Sequence, residues 1–249
     1  MIKFFRKIRQ KLLSENKFSK YLIYAIGEVI LVVIGILIAL QINNWNEEKK
    51  SSKIELELLK NLNRDLDIDI VNFESKIRVD SSIMVSNKNL LIAFKNKDKE
   101  RIINSRNAAS SIATSLSTIN RTDIFYPQKS AYESLKSQGI QIIKNSSLRQ
   151  NIVNLYDFRY QTVSDFLKFQ WEGINQTNPY LIEHLETNID DFNKTPNDIE
   201  KLINDKKFYN FLSQVYYENN VALEYYKPCL EDLKTTSKAL KKEIRRLEK

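Results

Sequence analysis

The sequence predicts an all-α protein in which a single N-terminal transmembrane helix continues into an extracytoplasmic antiparallel helical bundle. Residues 21–42 carry only one formal charge. As a helix, these residues are long enough to cross the ~30 Å hydrocarbon core of a bilayer. The 249 residues include only 4 Gly and 4 Pro, too few turn residues for a many-stranded β fold. Beyond residue 45, apolar residues recur at steps of three and four, which is the helical period.

Residues 1–20 form a basic leader, which we expect to be cytoplasmic. They contain seven Lys or Arg against Glu15, so this short segment holds most of the net charge of +8. Phe4, Phe5, Ile8 and Leu12 share one helical face, which favours an interfacial amphipathic helix over a merely solvated leader. The charge bias orients the amino terminus toward the cytoplasm in either case.

Residues 21–42 are predicted to be an uncleaved signal anchor. A cleaved signal peptide is the alternative, but its apolar region spans only ~7 to 15 residues and is followed by a small-residue cleavage site, which this sequence lacks. Tyr21, Tyr24 and Trp45 flank the apolar stretch, as aromatic rings do at membrane interfaces. Residues 43–249 then form the bundle domain.

One face of the transmembrane segment is predicted to contact another helix. At 100° per residue, four residues fall within about 40° of one line, and two of them make a small-xxx-small pair. These are Glu28, Val32, Gly35 and Ala39. A carboxylate near the centre of a membrane is expensive, so Glu28 is partnered across this interface, couples to a proton or ion, or snorkels toward the cytoplasmic side.

Two stretches carry a family resemblance, MIKFFRKIRQKLLSENKFSKYLIYAIGEVILVVIGILIALQINNWNE at the start and SAYESLKSQGIQIIKNSSLRQNIVNLYD at residues 130–157. Both resemble an uncharacterised family of single-pass proteins of Gram-negative bacteria, domain of unknown function 6090. The resemblance implies an inner-membrane protein whose main domain lies outside the cytoplasm, in the periplasm. It implies no activity and no functional residues.

The helices after the membrane segment are predicted from periodicity and end signals. The first extends to Lys95, and a weaker one, with Ile112, Leu116 and Ile119, ends near Asn120. Residues 130–138 form a helix that Gly139 terminates, and Asn145 or Ser146 caps the next one, which we expect to end at Gln176 before a proline. The segment TPNDIEK at residues 195–201 predicts a further helix start, with a cap and proline at the first helical position.

The last helix shows the clearest pattern. Its apolar positions alternate in steps of four and three, like the seam of a coiled coil, and Pro228 should kink it without ending it. The seam consists of Leu212, Tyr216, Asn219, Leu223, Tyr226, Leu230, Leu233, Ser237, Leu240, Ile244 and Leu247.

Two aromatic sets lie on the second half of the chain, and they favour a bundle core over the walls of a ligand pocket. The first comprises Tyr156, Phe158, Tyr160, Phe166, Phe169 and Trp171; the second comprises Phe208, Phe211, Tyr216, Tyr217, Tyr225 and Tyr226.

The sequence contains no motif for catalysis, a cofactor or a metal. Asp65, Asp67 and Asp69 imitate the start of a calcium loop, but Ile70 and Lys76 replace its Gly and Glu, so we expect these carboxylates on a helix surface. His184 is the only histidine, and Cys229 lies in an apolar seam, where a buried structural thiol is expected.

We therefore expect a cell-envelope interaction or scaffold module rather than an enzyme, with the lipid bilayer and another transmembrane helix as partners and no nucleic acid. The other helix would belong to a second copy or to a different membrane protein. The alternative is an extracytoplasmic ligand-binding sensor that signals through a membrane partner, which is an analogy at the level of the fold.

Overall fold

The computed structural model describes residues 18–103, 116–119, 125–189 and 194–249. The predicted leader helix, except its last residues, and most of the helix predicted to end near Asn120 lie outside these residues. The chain divides into two compact units, Met1–Glu55 and Leu56–Lys249.

The described residues are mostly helical, in agreement with the predicted class. The helices are α1 (Phe18–Lys95), α2 (Lys99–Ile103), α3 (Ser130–Gln138), α4 (Ser146–Val153), α5 (Tyr160–His184), α6 (Ile199–Ile203) and α7 (Lys206–Leu247). Short 3₁₀ turns occur at Leu116–Thr118 and Ile140–Ile142, and a π-helical turn at Asn154–Arg159 joins α4 to α5. Two three-residue strands, β1 (Leu185–Thr187) and β2 (Lys194–Pro196), pair antiparallel.

The first unit exposes an apolar stretch on every side. Leu22, Ile30, Ile38 and Ile42, which are spread along and around α1, are each at least half exposed. Among the described residues, one helix is long and apolar enough to cross a membrane, by length and composition, and none of its most apolar window is buried. An exposed apolar surface of this extent needs an apolar environment to cover it.

In the second unit, ion pairs fix the register between α1 and α7. Three pairs join α1 to α7 and to the residue directly after α7. From one pair to the next, the residue number in α1 rises by seven and that of its partner falls by seven, so the two stretches run in opposite directions at heptad spacing. The pairs are Lys60 with Glu248 at 2.7 Å, Asp67 with Lys241 at 2.8 Å and Glu74 with Lys234 at 2.7 Å. They are half-exposed, so each adds at most about 1 kcal/mol and mainly specifies the register.

The second unit buries two hydrophobic cores. One gathers the predicted seam of α7 from Leu223 to Leu240 with residues of α1, α3, α4 and α5. The other joins the end of α1 to the start of α7, where Phe94 packs on Phe208 with ring centroids 5.2 Å apart. Phe73 of α1 belongs to the first core and Leu90 to the second. Between them, α1 buries four polar residues, which are Lys76, Asp80, Ser86 and Asn87.

Several predicted helix ends are confirmed. The first helix ends at Lys95, and α3 ends at Gln138 before Gly139, whose φ of +89° is left-handed and suits a residue without a Cβ. Asn145 caps α4, because its side chain accepts a hydrogen bond from the amide of Leu148. The last helix passes through Pro228 without ending.

The helix predicted to stop at Gln176 does not stop there. It continues through Pro179 to His184. An internal proline costs about 3 kcal/mol, but the residues beyond it are held by packing: Leu181 is 2% exposed, and the Tyr180 hydroxyl donates to Asp205 at 2.6 Å. Burial of the following turn thus offsets the loss of one backbone hydrogen bond.

The helix start at residues 195–201 is also placed differently. Thr195 and Pro196 lie in β2, paired with Glu186 and Leu185, and the cap of α6 is Asp198, which accepts from the amide of Lys201 at 3.0 Å. The small hairpin is therefore a departure from a strictly all-α fold. A proline is compatible with the end of a two-stranded ribbon because its missing donor disrupts no central ladder.

Candidate functional site

The predicted transmembrane interface lies entirely on α1. Glu28, Val32, Gly35 and Ala39 fall within the helix, so the helical periodicity aligns their side chains on one face. Val32 is 58% exposed, and Gly35 and Ala39 are exposed as well. The described residues therefore leave Val32, Gly35 and Ala39 accessible to another helix, whereas Glu28 is partly buried.

Gly35 has no conformational or packing reason within the described chain to be glycine. It is helical, and a Cβ added to it would meet no atom within 4 Å. A glycine in a helix interior costs about 1 kcal/mol relative to alanine in water. Close approach of a second helix is the usual use of such a residue in a membrane segment.

The acidic triplet of α1 is not a surface feature as predicted, because Asp69 is fully buried. Residues two apart on a helix lie on different sides, so the triplet divides. Asp65 faces the start of α3, Asp69 faces the segment just before α3, and Asp67 faces α7. No group of three or more potential metal ligands occurs among the described residues. The contacts are therefore those of a hydrogen-bonding network.

Asp69 accepts hydrogen bonds from two distant parts of the chain. The Tyr160 hydroxyl donates to Oδ2 at 2.7 Å, and the amide of Gln128 donates to both oxygens, at 3.0 and 3.2 Å. Burial raises the pKa of the Asp69 carboxyl to about 6, because desolvation outweighs these hydrogen bonds, which favour the charged form. Asp69 thus joins α1, α5 and the segment before α3 at a single carboxylate.

Asp65 supplies a cap that α3 lacks locally. The residue preceding α3, Lys129, makes no side-chain capping bond. Instead, Oδ2 of Asp65 accepts from the amide of Ala131 at 3.1 Å and from the Ser130 hydroxyl at 3.2 Å. A carboxylate at a helix amino terminus satisfies an otherwise unpaired donor and complements the helix dipole.

Tyrosine rings surround this carboxylate pair. Tyr132 stacks on Tyr156 with centroids 4.3 Å apart, and Tyr156 meets Tyr160 edge to face at 5.2 Å. Tyr132 in turn donates to Asp157 at 2.9 Å. Burial raises the pKa of all three hydroxyls, so they remain neutral within a packed core.

The two predicted aromatic sets divide between core and surface. Tyr156, Tyr160, Phe208 and Tyr226 are buried, in agreement with a role in a packed core. The others are partly or mainly exposed, and those with more than two fifths of their surface exposed are Phe158, Phe169, Trp171, Tyr217 and Tyr225.

The lone histidine and cysteine have structural surroundings. The Nδ1 atom of His184 lies 2.9 Å from the carbonyl oxygen of Tyr180, one helical turn earlier. Cys229 is fully buried, and desolvation raises the pKa of its thiol to about 12, so the reactive thiolate is scarce at neutral pH.

Sequence reasoning missed Asp69, although one signal pointed to it. Asp69 lies three residues after Leu66 and four before Phe73, so it occupies a position of the apolar stripe rather than of the polar face. A carboxylate on the buried face of a helix requires donors from elsewhere in the fold. The identity of those donors could not be read from the sequence.

Comparison with known proteins gives one match. Residues 28–220 match the family of unknown function DUF6090. Neither the comparison with curated proteins nor that with solved structures gave a match. Because the matched region covers most of the chain and includes the second half of the apolar segment, α3 and the Asp69 network, the chain belongs to the family of unknown function DUF6090.

Proposed function

We propose that this protein is a single-pass, membrane-anchored interaction module of the bacterial cell envelope. Residues 21–42 cross the inner membrane, the leader is cytoplasmic and the antiparallel helical bundle is periplasmic. The observation that carries the proposal is the apolar stretch of α1, which is exposed on every side and contains a face of small residues. A helix that is apolar all round requires lipid or protein around it.

The Glu28, Val32, Gly35 and Ala39 face supplies the interaction. Small residues let two helix backbones approach closely, and van der Waals contact then drives association where no hydrophobic driving force exists between helices. The partner is a second transmembrane helix, from another copy or from another membrane protein.

Crosslinking of the full-length protein in its native membranes tests this proposal. Gly35→Leu places a large side chain in the proposed contact, so we expect the crosslinked complex to be lost. Gly27→Leu is the matched control: Gly27 has equally open surroundings, but it lies about 100° around the helix from Glu28. Leu37→Ala, on the opposite side, should also leave the complex intact.

The two controls distinguish a contact on this face from a general effect of substitution in the helix. A complex that survives Gly35→Leu, or that Gly27→Leu disrupts to the same extent, contradicts an interface on this face. Mass spectrometry of the crosslinked product then distinguishes a self-association from a different membrane partner.

A second candidate function is a periplasmic ligand-binding sensor that signals through a membrane partner. The observation that favours it is a cavity of about 280 Å³ between α5 and α7. Purification in mild detergent separates the two functions: a stoichiometric membrane protein supports the interaction module, and a bound small molecule without such a partner supports the sensor.

A further inference from the structure

Five aromatic side chains form a continuous patch on the second unit, which we call the aromatic patch. It extends over the π-helical turn, α5 and α7, and its members are Phe158, Phe166, Phe169, Tyr217 and Tyr225. Phe166, half-buried at the centre, joins the two helices. Its ring centroid lies 5.0 Å from that of Tyr225 on α7 and 6.3 Å from that of Phe169 on α5.

The other two members extend the patch along both helices. Tyr217 precedes Tyr225 by eight residues, which is about two turns of α7. At the other end, the guanidinium of Arg159 lies 5.6 Å from the ring centroid of Phe158 and pairs with Asp232 of α7 at 2.5 Å. Asp232 follows Tyr225 by seven residues, so it lies on nearly the same side of α7. The patch therefore follows the line along which α5 and α7 meet.

The exposed area of the patch is large for a surface that faces only water. The exposed fractions are 56% for Phe158, 58% for Phe169, 61% for Tyr217 and 41% for Tyr225. At about 200 Å² for each side chain, these four leave about 400 Å² of mostly apolar surface exposed. Single exposed apolar residues are ordinary, but a contiguous patch of this size marks a binding surface. A standard interface buries about 800 Å² on each partner, so these rings supply about half of one.

The charges beside the patch decide which kind of partner it fits. Arg159 is paired with Asp232, and Lys168, next to Phe169, lies 3.4 Å from Asp165. The patch therefore has no excess of cations, which an anionic lipid surface would require. Uncharged rings are complementary to rings of the same kind, because the edge of one ring packs on the face of another. The patch thus fits a second copy of itself.

We propose that the aromatic patch is an interface between two copies of this protein. Two-fold symmetry brings the same surface of both copies together, so the rings of Phe169 and Tyr225 pack against the same residues of the second copy. In the membrane, the interface rests on the proposed function: once the transmembrane contact has formed, the patches meet in an intramolecular step, so neither contact has to be strong alone. The patch itself belongs to the second unit only.

Sedimentation equilibrium of the full-length protein in detergent tests the proposal. All variants carry Gly35→Leu, which removes the proposed transmembrane contact, and the protein concentrations span the expected Kd. We expect a reversible dimer with a Kd on the order of 100 µM or tighter. Phe169→Ser combined with Tyr225→Ser should raise the Kd at least about tenfold, because aromatic residues at the centre of an interface supply most of its binding energy. Trp171→Ser is the matched control and should leave the Kd unchanged, since this exposed ring lies on the opposite side of α5 from Phe169.

Three results would overturn the proposal. They are a monomer in the Gly35→Leu protein, as expected if the patch meets lipid or a different protein, an unchanged Kd in the double serine variant, and an equal loss with Trp171→Ser. A dimer that survives Gly35→Leu and depends on the two rings supports the patch, whatever crosslinking shows for the membrane helix. Both rings are largely exposed, so circular dichroism should show unchanged helicity and melting temperature. If the double variant fails to fold, Phe169→Ser alone decides.

Discussion

A single buried carboxylate links three distant parts of the second unit. Asp69 of α1 receives hydrogen bonds from a tyrosine 91 residues away and from a backbone amide 59 residues away. The pKa of Asp69 rises from its ordinary value of 3.8 to about 6, with burial as the leading cause and the nearby Asp65 charge acting in the same direction. Protonation of this side chain is therefore coupled to folding.

The first prediction concerns the pH dependence of stability. Because the pKa of Asp69 is higher in the folded than in the unfolded protein, its protonation favours folding: the contribution is complete below about pH 4 and is lost as the pH rises through about 6. The unfolding free energy of the wild type relative to Asp69→Asn should thus fall between pH 4 and pH 7. Urea denaturation of the full-length protein in detergent measures it.

Asparagine is a close control in shape, since it keeps an oxygen that can accept the Tyr160 hydroxyl but does not titrate. The prediction is contradicted if the unfolding free energy of the wild type relative to Asp69→Asn stays constant with pH or increases as the pH rises.

At the scale of elements, side chains from other helices support the starts of α3 and α4. Asp65 caps α3 from α1, and Asn145 caps α4 while its side-chain nitrogen donates to Glu243 of α7 at 3.1 Å. Arg246 and Asn145 both hold the pKa of Glu243 below its ordinary value, the arginine being the larger cause. Helices of eight or nine residues are marginal alone, so these contacts stabilise them within the second unit.

The second prediction tests the cap supplied by another helix. Asp65→Ala should lower the unfolding free energy by about 1 kcal/mol, because the amide of Ala131 loses its acceptor. Glu57→Ala, at an exposed position of the same helix, should change it by less than about 0.5 kcal/mol. Denaturation at pH 7 provides both values, and equal losses in the two variants would argue against a specific cap.

At the scale of the whole molecule, charge and apolar surface are separated along the chain. The leader carries seven bases against one acid, immediately before the exposed apolar stretch, whereas the remaining bases and acids are close to balance. A basic flank on one side of a membrane segment is retained in the cytoplasm. This asymmetry supports the orientation proposed for the protein.

The third prediction concerns that orientation. An export-dependent reporter fused after Lys249 should be active, and a reporter that works only in the cytoplasm should be silent. Replacing the seven basic residues of the leader with glutamine should reduce the preference for this orientation, because positive charge near the membrane sets the orientation. Activity of the cytoplasmic reporter alone, in the unmodified fusion, would reverse the topology.

The sequence by itself determined features that depend on neighbours within about one helical turn. The apolar stretch, the end of α1 at Lys95, the stop at Gly139, the cap at Asn145 and the buried seam of α7 all follow from local composition and period. The face of Glu28, Val32, Gly35 and Ala39 was likewise readable from spacing, because all four residues lie within α1.

The tertiary structure alone decided the features whose energy comes from distant contacts. Packing of Leu181 and Tyr180 carries α5 through Pro179, and pairing with β1 draws Pro196 into a strand instead of a helix start. The burial of Asp69 and the cavity beside Gln170 likewise depend on which helices meet. Periodicity shows that a residue faces inward. The groups that surround it there belong to segments tens of residues away in the sequence.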